Sequence, residues 1–230
     1  ANMQRQDVLA NNLANVSTPG FRAELHAFRA VPVQGSGAST RVYALESTPG
    51  YDMSPGVVST TGRPLDVAMR GNAWLSVQGL DGTEAYTRGG SLEVGADGML
   101  VTHGGLQVLG DGGPITAPAN ARIDIGSDGT ITATVGGGRP QGIGRLKLVT
   151  PEAPLQRGDD GLFRAADGAD LPADATARVQ SGALEGSNVS PVESMVAMIA
   201  AARQFEQQMK MLQTSQERET SATKLLSSSG

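Results

Sequence analysis

The sequence predicts a mainly β fold with terminal α-helices, an antiparallel β domain inserted between an N-terminal and a C-terminal helix. Three observations predict it. The 230 residues include 31 Gly and 12 Pro but only 4 Phe, 3 Tyr and 1 Trp, a composition of many turns and few large aromatic anchors. Between about 31 and 182 apolar residues alternate with polar or small ones in short runs. Outside that zone, 2–16 and 192–226 contain neither Gly nor Pro and space their apolar residues at helical intervals.

The first helix is drawn by Leu9, Leu13 and Val16, at spacings of four and three on one face. Ser17-Thr18-Pro19-Gly20 stops it, because Pro cannot continue the hydrogen-bond ladder and Gly accepts the reversed dihedrals of a turn. The opening Ala1-Asn2-Met3-Gln4-Arg5 reads as the middle of a helix, so the natural chain is expected to begin upstream, and no basic segment followed by an apolar one marks a cleaved signal.

Strands are expected where Leu65, Val67 and Met69 alternate with other residues, and likewise at Leu75 with Val77, Leu92 with Val94, Ile123 with Ile125, and Leu146 with Leu148. Asp-Gly pairs punctuate them at 81–82, 97–98, 111–112, 128–129, 160–161 and 167–168, supplying the positive φ angles of tight hairpin turns.

The last helix has the clearest start. Ser190 can cap it, Pro191 suits its first position and Glu193 completes a capping box. Met195, Met198, Ala202, Phe205, Met209 and Leu212 follow at spacings of 3, 4, 3, 4 and 3, a heptad seam. The seam then turns polar at Gln216, Glu219 and Thr223 before Leu226. Three segments result: 1–30 with the first helix and its turn, a β-rich 31–182, and 183–230 with the last helix.

Several function classes find no support. Net charge is −5 with no basic stripe, so nucleic acid is not an expected partner. The absence of Cys removes disulfides, thiolate metal sites and a cysteine nucleophile. The longest apolar run, Met195 to Ala202, is far short of a membrane span. His26 and His103 stand apart, with no ligand type at helical or hairpin spacing. The Asp-Gly series lacks the alternating acids of a calcium loop, and the glycine clusters at 112–113 and 136–138 lack the helix a phosphate loop needs. The carboxylate pairs Asp159 with Asp160 and Glu217 with Glu219 read as solvated charge rather than a sugar site. Arg157-Gly158-Asp159 spells an adhesion tripeptide but merges into a turn, and the sequons at Asn15 and Asn188 read as helix caps. No catalytic residue, cofactor, metal or small-molecule substrate is expected.

Two motifs carry a resemblance. Ala10-Asn11-Asn12-Leu13-Ala14-Asn15-Val16-Ser17-Thr18-Pro19-Gly20-Phe21 resembles the N-terminal signature of flagellar rod and hook proteins. Ser181-Gly182-Ala183-Leu184-Glu185-Gly186-Ser187-Asn188-Val189, followed by Pro191-Val192-Glu193, resembles the entry to the C-terminal helix of that family. Gly62 to Val67 with Gly71, Asn72 and Trp74, then Arg157 to Phe163, and then Ala202 to Glu206 with Gln208 to Leu212, look most like its proximal-rod members, a distal-rod or hook subunit being the alternative. The resemblance implies a non-enzymatic subunit exported through the flagellar type III apparatus. It further implies assembly, with itself and other rod subunits, into a helical tube across the periplasm that transmits torque. Both terminal helices would pair there in a coiled-coil-like inner layer, placing Leu9, Asn11, Asn12, Leu13 and Asn15 beside Met195, Met198, Phe205, Met209 and Leu212, with Ala202 on the same seam.

Overall fold

The computed structural model describes residues 2–25, 28–32, 42–46 and 50–227; His26 lies outside them. Contacts divide the chain into two compact units. One holds 1–16, 23–53 and 189–230, the other 17–22 and 54–188. This grouping cuts across the sequence boundaries at 30 and 182, because backbone pairing rather than composition decides which segments belong together.

The β unit is antiparallel in every strand pair among the described residues. Its largest sheet orders Leu148–Val149, Trp74–Gln78, Glu84–Thr87, Phe163–Arg164 and Gln156–Arg157 side by side. A second sheet runs Ala121–Ile125, Thr130–Val135 and Gln141–Arg145, with a register shift between Ile131 and Thr132. Short ladders pair Val67–Met69 with Val179–Ser181 and Val58–Thr60 with Ala183–Glu185.

The alternation expected at Ile123 and Ile125 is present, both side chains turned inward beside more exposed neighbours. Val67–Met69 and Trp74–Val77 are instead buried on both faces, so alternation there understates the burial. Leu92 is buried but Val94 is not, since that strand ends in a solvent-facing turn. One cluster joins Val67, Leu75, Val77, Leu100, Ile131 and Leu148 into the core. Tyr86 is buried with its hydroxyl accepting the Leu171 N–H at 2.6 Å, and burial is the first cause pushing its phenol up to about 12.

Four of the turns are copies of one design. In Gly79-Leu-Asp-Gly82, Gly95-Ala-Asp-Gly98, Gly126-Ser-Asp-Gly129 and Gly158-Asp-Asp-Gly161 the leading Gly donates its N–H four residues on, and the closing Gly donates back to it. The Asp Oδ1 accepts the N–H two residues further along, in an Asx turn. That carboxylate lies 2.7–2.9 Å from where a Cβ on the leading Gly would sit, which is why a Gly stands there. Only the closing Gly takes a positive φ, so these are turns with a Gly bulge rather than two-residue turns needing positive φ twice. Gly168 also has a positive φ, whereas at Asp111-Gly112 the positive φ falls one residue later, on Gly113.

The other unit contains both helices. α1 spans Asn2–Ala14 and α2 spans Pro191–Ser227, and the two make contact within the unit. Strands Phe28–Pro32 and Val42–Glu46 pair here, as do Glu24–Leu25 and Gly50–Tyr51.

Candidate assembly surface

The sequence of α2 builds a long helix whose first turns keep apolar side chains exposed among the described residues. Ser190 Oγ accepts the Glu193 N–H at 3.4 Å and its carbonyl accepts the Ser194 N–H, so the start lies at the Ser-Pro-x-Glu signature. With 37 residues at ~1.5 Å each the helix is roughly 55 Å long. No helix among the described residues is long and apolar enough to cross a membrane.

Two faces of its first turns are apolar. The inward one carries Ser194 and Ala201, both buried, with Ala197 and Met198 half-buried between them. Small side chains a heptad apart let another backbone approach closely. The outward face carries Val192, Met195, Val196 and Ile199, each at least half exposed. At 100° per residue these four cluster roughly opposite Ala201. Further along, Phe205 and Met209 retain about 40% of their surface and Met211 more.

The seam expected from the sequence is therefore distributed. Met198 is half-buried; Met195, Ala202, Phe205 and Met209 are exposed; the side chain of Leu212 lies outside the described residues. Val192, Val196 and Ile199 were not among the predicted residues. For Val196 and Ile199 the signal lay in the run Met195 to Ala202, because a helix that is apolar all round is covered on more than one side.

On α1, Leu9 and Leu13 are half-buried and the asparagines act as backbone substitutes. Asn12 is buried; its Nδ2 donates to the Glu24 carbonyl at 2.9 Å and its Oδ1 accepts the Glu24 N–H at 2.8 Å. One amide thus imitates a strand neighbour for Glu24–Leu25, using both its donor and its acceptor. Asn11 Nδ2 reaches Glu24 Oε2 at 3.3 Å, and Asn15 folds back on Asn11, donating to its carbonyl and its Oδ1 at 2.9 and 2.8 Å.

The β unit holds a polar group that sequence reasoning missed. Arg22, Arg88 and Glu185 are each 2–3% exposed or less, deep in that unit. Glu185 Oε1 takes Arg22 Nη2 at 2.7 Å and the Gly56 N–H at 2.9 Å; Oε2 takes Arg88 Nε at 2.8 Å and Nη2. Arg88 also donates to the carbonyls of Met69, Gly71 and Ala73, and lies 5.9 Å from the Trp74 ring centre. Burial holds the Arg88 guanidinium below its ordinary range, Glu185 opposes that shift, and Arg22 adds a smaller repulsion. Arg157 of the adhesion tripeptide is committed inside this unit, stacked 4.7 Å over the Phe21 ring and donating to the Gly161 carbonyl.

These features coincide with what the chain is similar to. Residues 1–22 match the family described as flagella basal body rod protein, 68–133 the flagellar hook protein FlgE/F/G D1 domain, and 180–225 the flagellar basal body rod FlgEFG protein C-terminal. The flagellar basal-body rod protein FlgF of Salmonella typhimurium is 52% identical across 99% of this chain and 94% of its own length. FlgF of Escherichia coli is 50% identical over the same shares. The rod protein FlgG of Bacillus subtilis is 34% identical across 92% of this chain and 89% of its own.

Proposed function

Since the chain belongs to the flagellar basal-body rod protein family, we propose that it polymerises into the rod through its terminal helices. It is a structural subunit of the bacterial flagellar basal body, an assembly of rod proteins, and not an enzyme. The stronger match to the two FlgF proteins than to FlgG supports a place in the proximal part of the rod.

The observation that carries the polymerisation reading is the outward apolar face of α2. Val192, Met195, Val196 and Ile199 form one continuous stripe at least half exposed to water, and covering it removes apolar surface at roughly 25 cal/mol per Å². A head-to-tail contact that buries such a face on the next subunit, without closing into a ring, grows a helical tube. In that tube α1 and α2 pair in a coiled-coil-like inner layer. Leu9, Asn11, Leu13 and Asn15 sit in it with Met195, Met198, Ala202, Phe205, Met209 and Leu212, while Asn12 fixes the end of α1 from inside the chain. Close packing of long helices supplies the stiffness that torque requires. Export through the flagellar type III apparatus precedes assembly in this reading.

The test is the double variant Val196→Asp with Ile199→Asp. The purified chain is expected to keep its melting temperature, because both side chains already face water, while basal bodies lack the subunit and the cells do not swim. Normal swimming with the variant present in basal bodies would refute the assignment of this face.

A further inference from the structure

The three charges buried in the β unit call for an explanation other than stability. Taking charges out of water costs more than their mutual attraction routinely returns, and apolar side chains of the same volume would stabilise as well or better. Apolar contacts are non-directional, however, whereas a carboxylate with its acceptor sites filled admits one arrangement of its partners.

What Glu185 arranges is specific. Its carboxylate holds Arg22, Arg88 and the N–H of Gly56, and its backbone carbonyl accepts the Gly20 N–H at 2.8 Å. Three residues on, Asn188 donates its N–H to the Phe21 carbonyl at 3.3 Å and its Nδ2 to the Ser54 carbonyl at 3.0 Å. The β unit consists of 17–22 and 54–188, so Arg22, Ser54 and Asn188 are three of the four points at which the chain enters or leaves it. Gly20, at φ +71°, passes so close to Arg88 that a Cβ would lie 2.2 Å from the Arg88 carbonyl carbon. Among the described residues Arg22 Nε and Nη1 have no partner, and Glu185 is the anchor of that side chain.

We infer that Glu185 is a positioning residue for assembly: through Arg22 and Arg88 it fixes, on the β scaffold, the segments that lead to α1 and to α2. This rests on the reading that the terminal helices form the rod contacts. Entry and exit segments held in one place give every copy the same points from which its helices depart, which a helical array requires.

The experiment measures backbone amide exchange in the full chain for Arg22→Met, Arg22→Lys and Glu185→Gln, and follows each variant into basal bodies. Arg22→Met removes the charged arm while leaving the Glu185–Arg88 contact. It is expected to raise exchange at Gly20 and Asn188 at least tenfold, leave Leu75 and Val77 unchanged, and reduce incorporation into the rod. Arg22→Lys, which keeps a cation for Oε1, should restore both readouts in large part. In Glu185→Gln, trypsin should cut after Arg22, a bond that burial protects in the parent. The inference fails if exchange at Gly20 and Asn188 stays at the parent rate in Arg22→Met. It fails equally if exchange rises uniformly through Leu75 and Val77, which would mark an ordinary core contact, or if the loosened variant enters the rod as well as the parent. Failure of the underlying assembly reading shows separately, as normal incorporation of the Val196→Asp, Ile199→Asp chain.

Discussion

The strand Trp74–Gln78 and the first turns of α2 are both rich in apolar residues, yet the chain treats them oppositely. Leu75 and Val77 are wholly removed from water inside one unit, while Val192, Val196 and Ile199 stay more than half exposed. The strand meets partners within its own unit through registers with Glu84–Thr87 and Leu148–Val149. Among the described residues the outward stripe of α2 meets none that would bury it. Apolar content alone therefore does not separate a core from an assembly surface; the availability of a partner in the same chain does.

The contrast breaks most sharply at Leu75. Leu75→Ala leaves a cavity in a filled core and should cost about 2–5 kcal/mol, read as a lower midpoint in thermal or urea unfolding of the isolated chain. A change below 1 kcal/mol would mean that the strand is less closed than its burial shows. Gly129→Ala, at φ +84°, should cost about 1–2 kcal/mol by straining the turn before Thr130–Val135.

Titration probes the same unit from both ends of the pH scale. Hydrogen bonds from Thr176 and Thr150 hold the Asp174 carboxyl at about 2 against an ordinary 3.8. Its contribution is full above pH 4 and lost as the pH falls toward 2, so Asp174→Asn should flatten the acid limb of a stability–pH curve. Burial lifts the Tyr86 phenol from 10.0 to about 12, so its contribution is full below pH 10 and lost between 10 and 12. Tyr86→Phe should remove that alkaline loss.

The smallest effect on the monomer is expected at Phe205. Being about 40% exposed, it should tolerate Phe205→Asp with a change within about 0.5 kcal/mol, and the control Gln208→Asp likewise. Only Phe205→Asp should be missing from basal bodies. Unfolding of the monomer by this change would move Phe205 to the core side of the comparison.

How much of this was legible follows from the range of each interaction. The start of α2 and the inward pair Ile123 and Ile125 could be read because capping and alternation act within a few residues. The Asp-Gly turns were legible too, although the leading Gly of each was not singled out and the positive φ falls on the closing Gly alone. Met195, Phe205 and Met209 were legible as an apolar seam, but a one-dimensional pattern does not say which side of a helix its own chain covers, so Val192, Val196 and Ile199 escaped. Least legible was the group of Arg22, Arg88 and Glu185. Each is an unremarkable charge in its own neighbourhood, and only contacts between segments far apart in sequence, such as the Gly20 N–H on the Glu185 carbonyl, bring them together.

The recurrent Gly-x-Asp-Gly turn also sets an order of events in time. Each copy closes a hairpin between residues a few positions apart, so little chain entropy opposes it, and such hairpins form in microseconds. The ladders joining Val67–Met69 to Val179–Ser181 and Val58–Thr60 to Ala183–Glu185 must instead close loops of more than a hundred residues. They come later, once the hairpins have shortened the path between their ends. Glu185 lies at the end of the last of these, and its contacts with Arg22 and Arg88 are among the final ones to form. A folding chain would thus have its hairpins in place before its two ends are fastened.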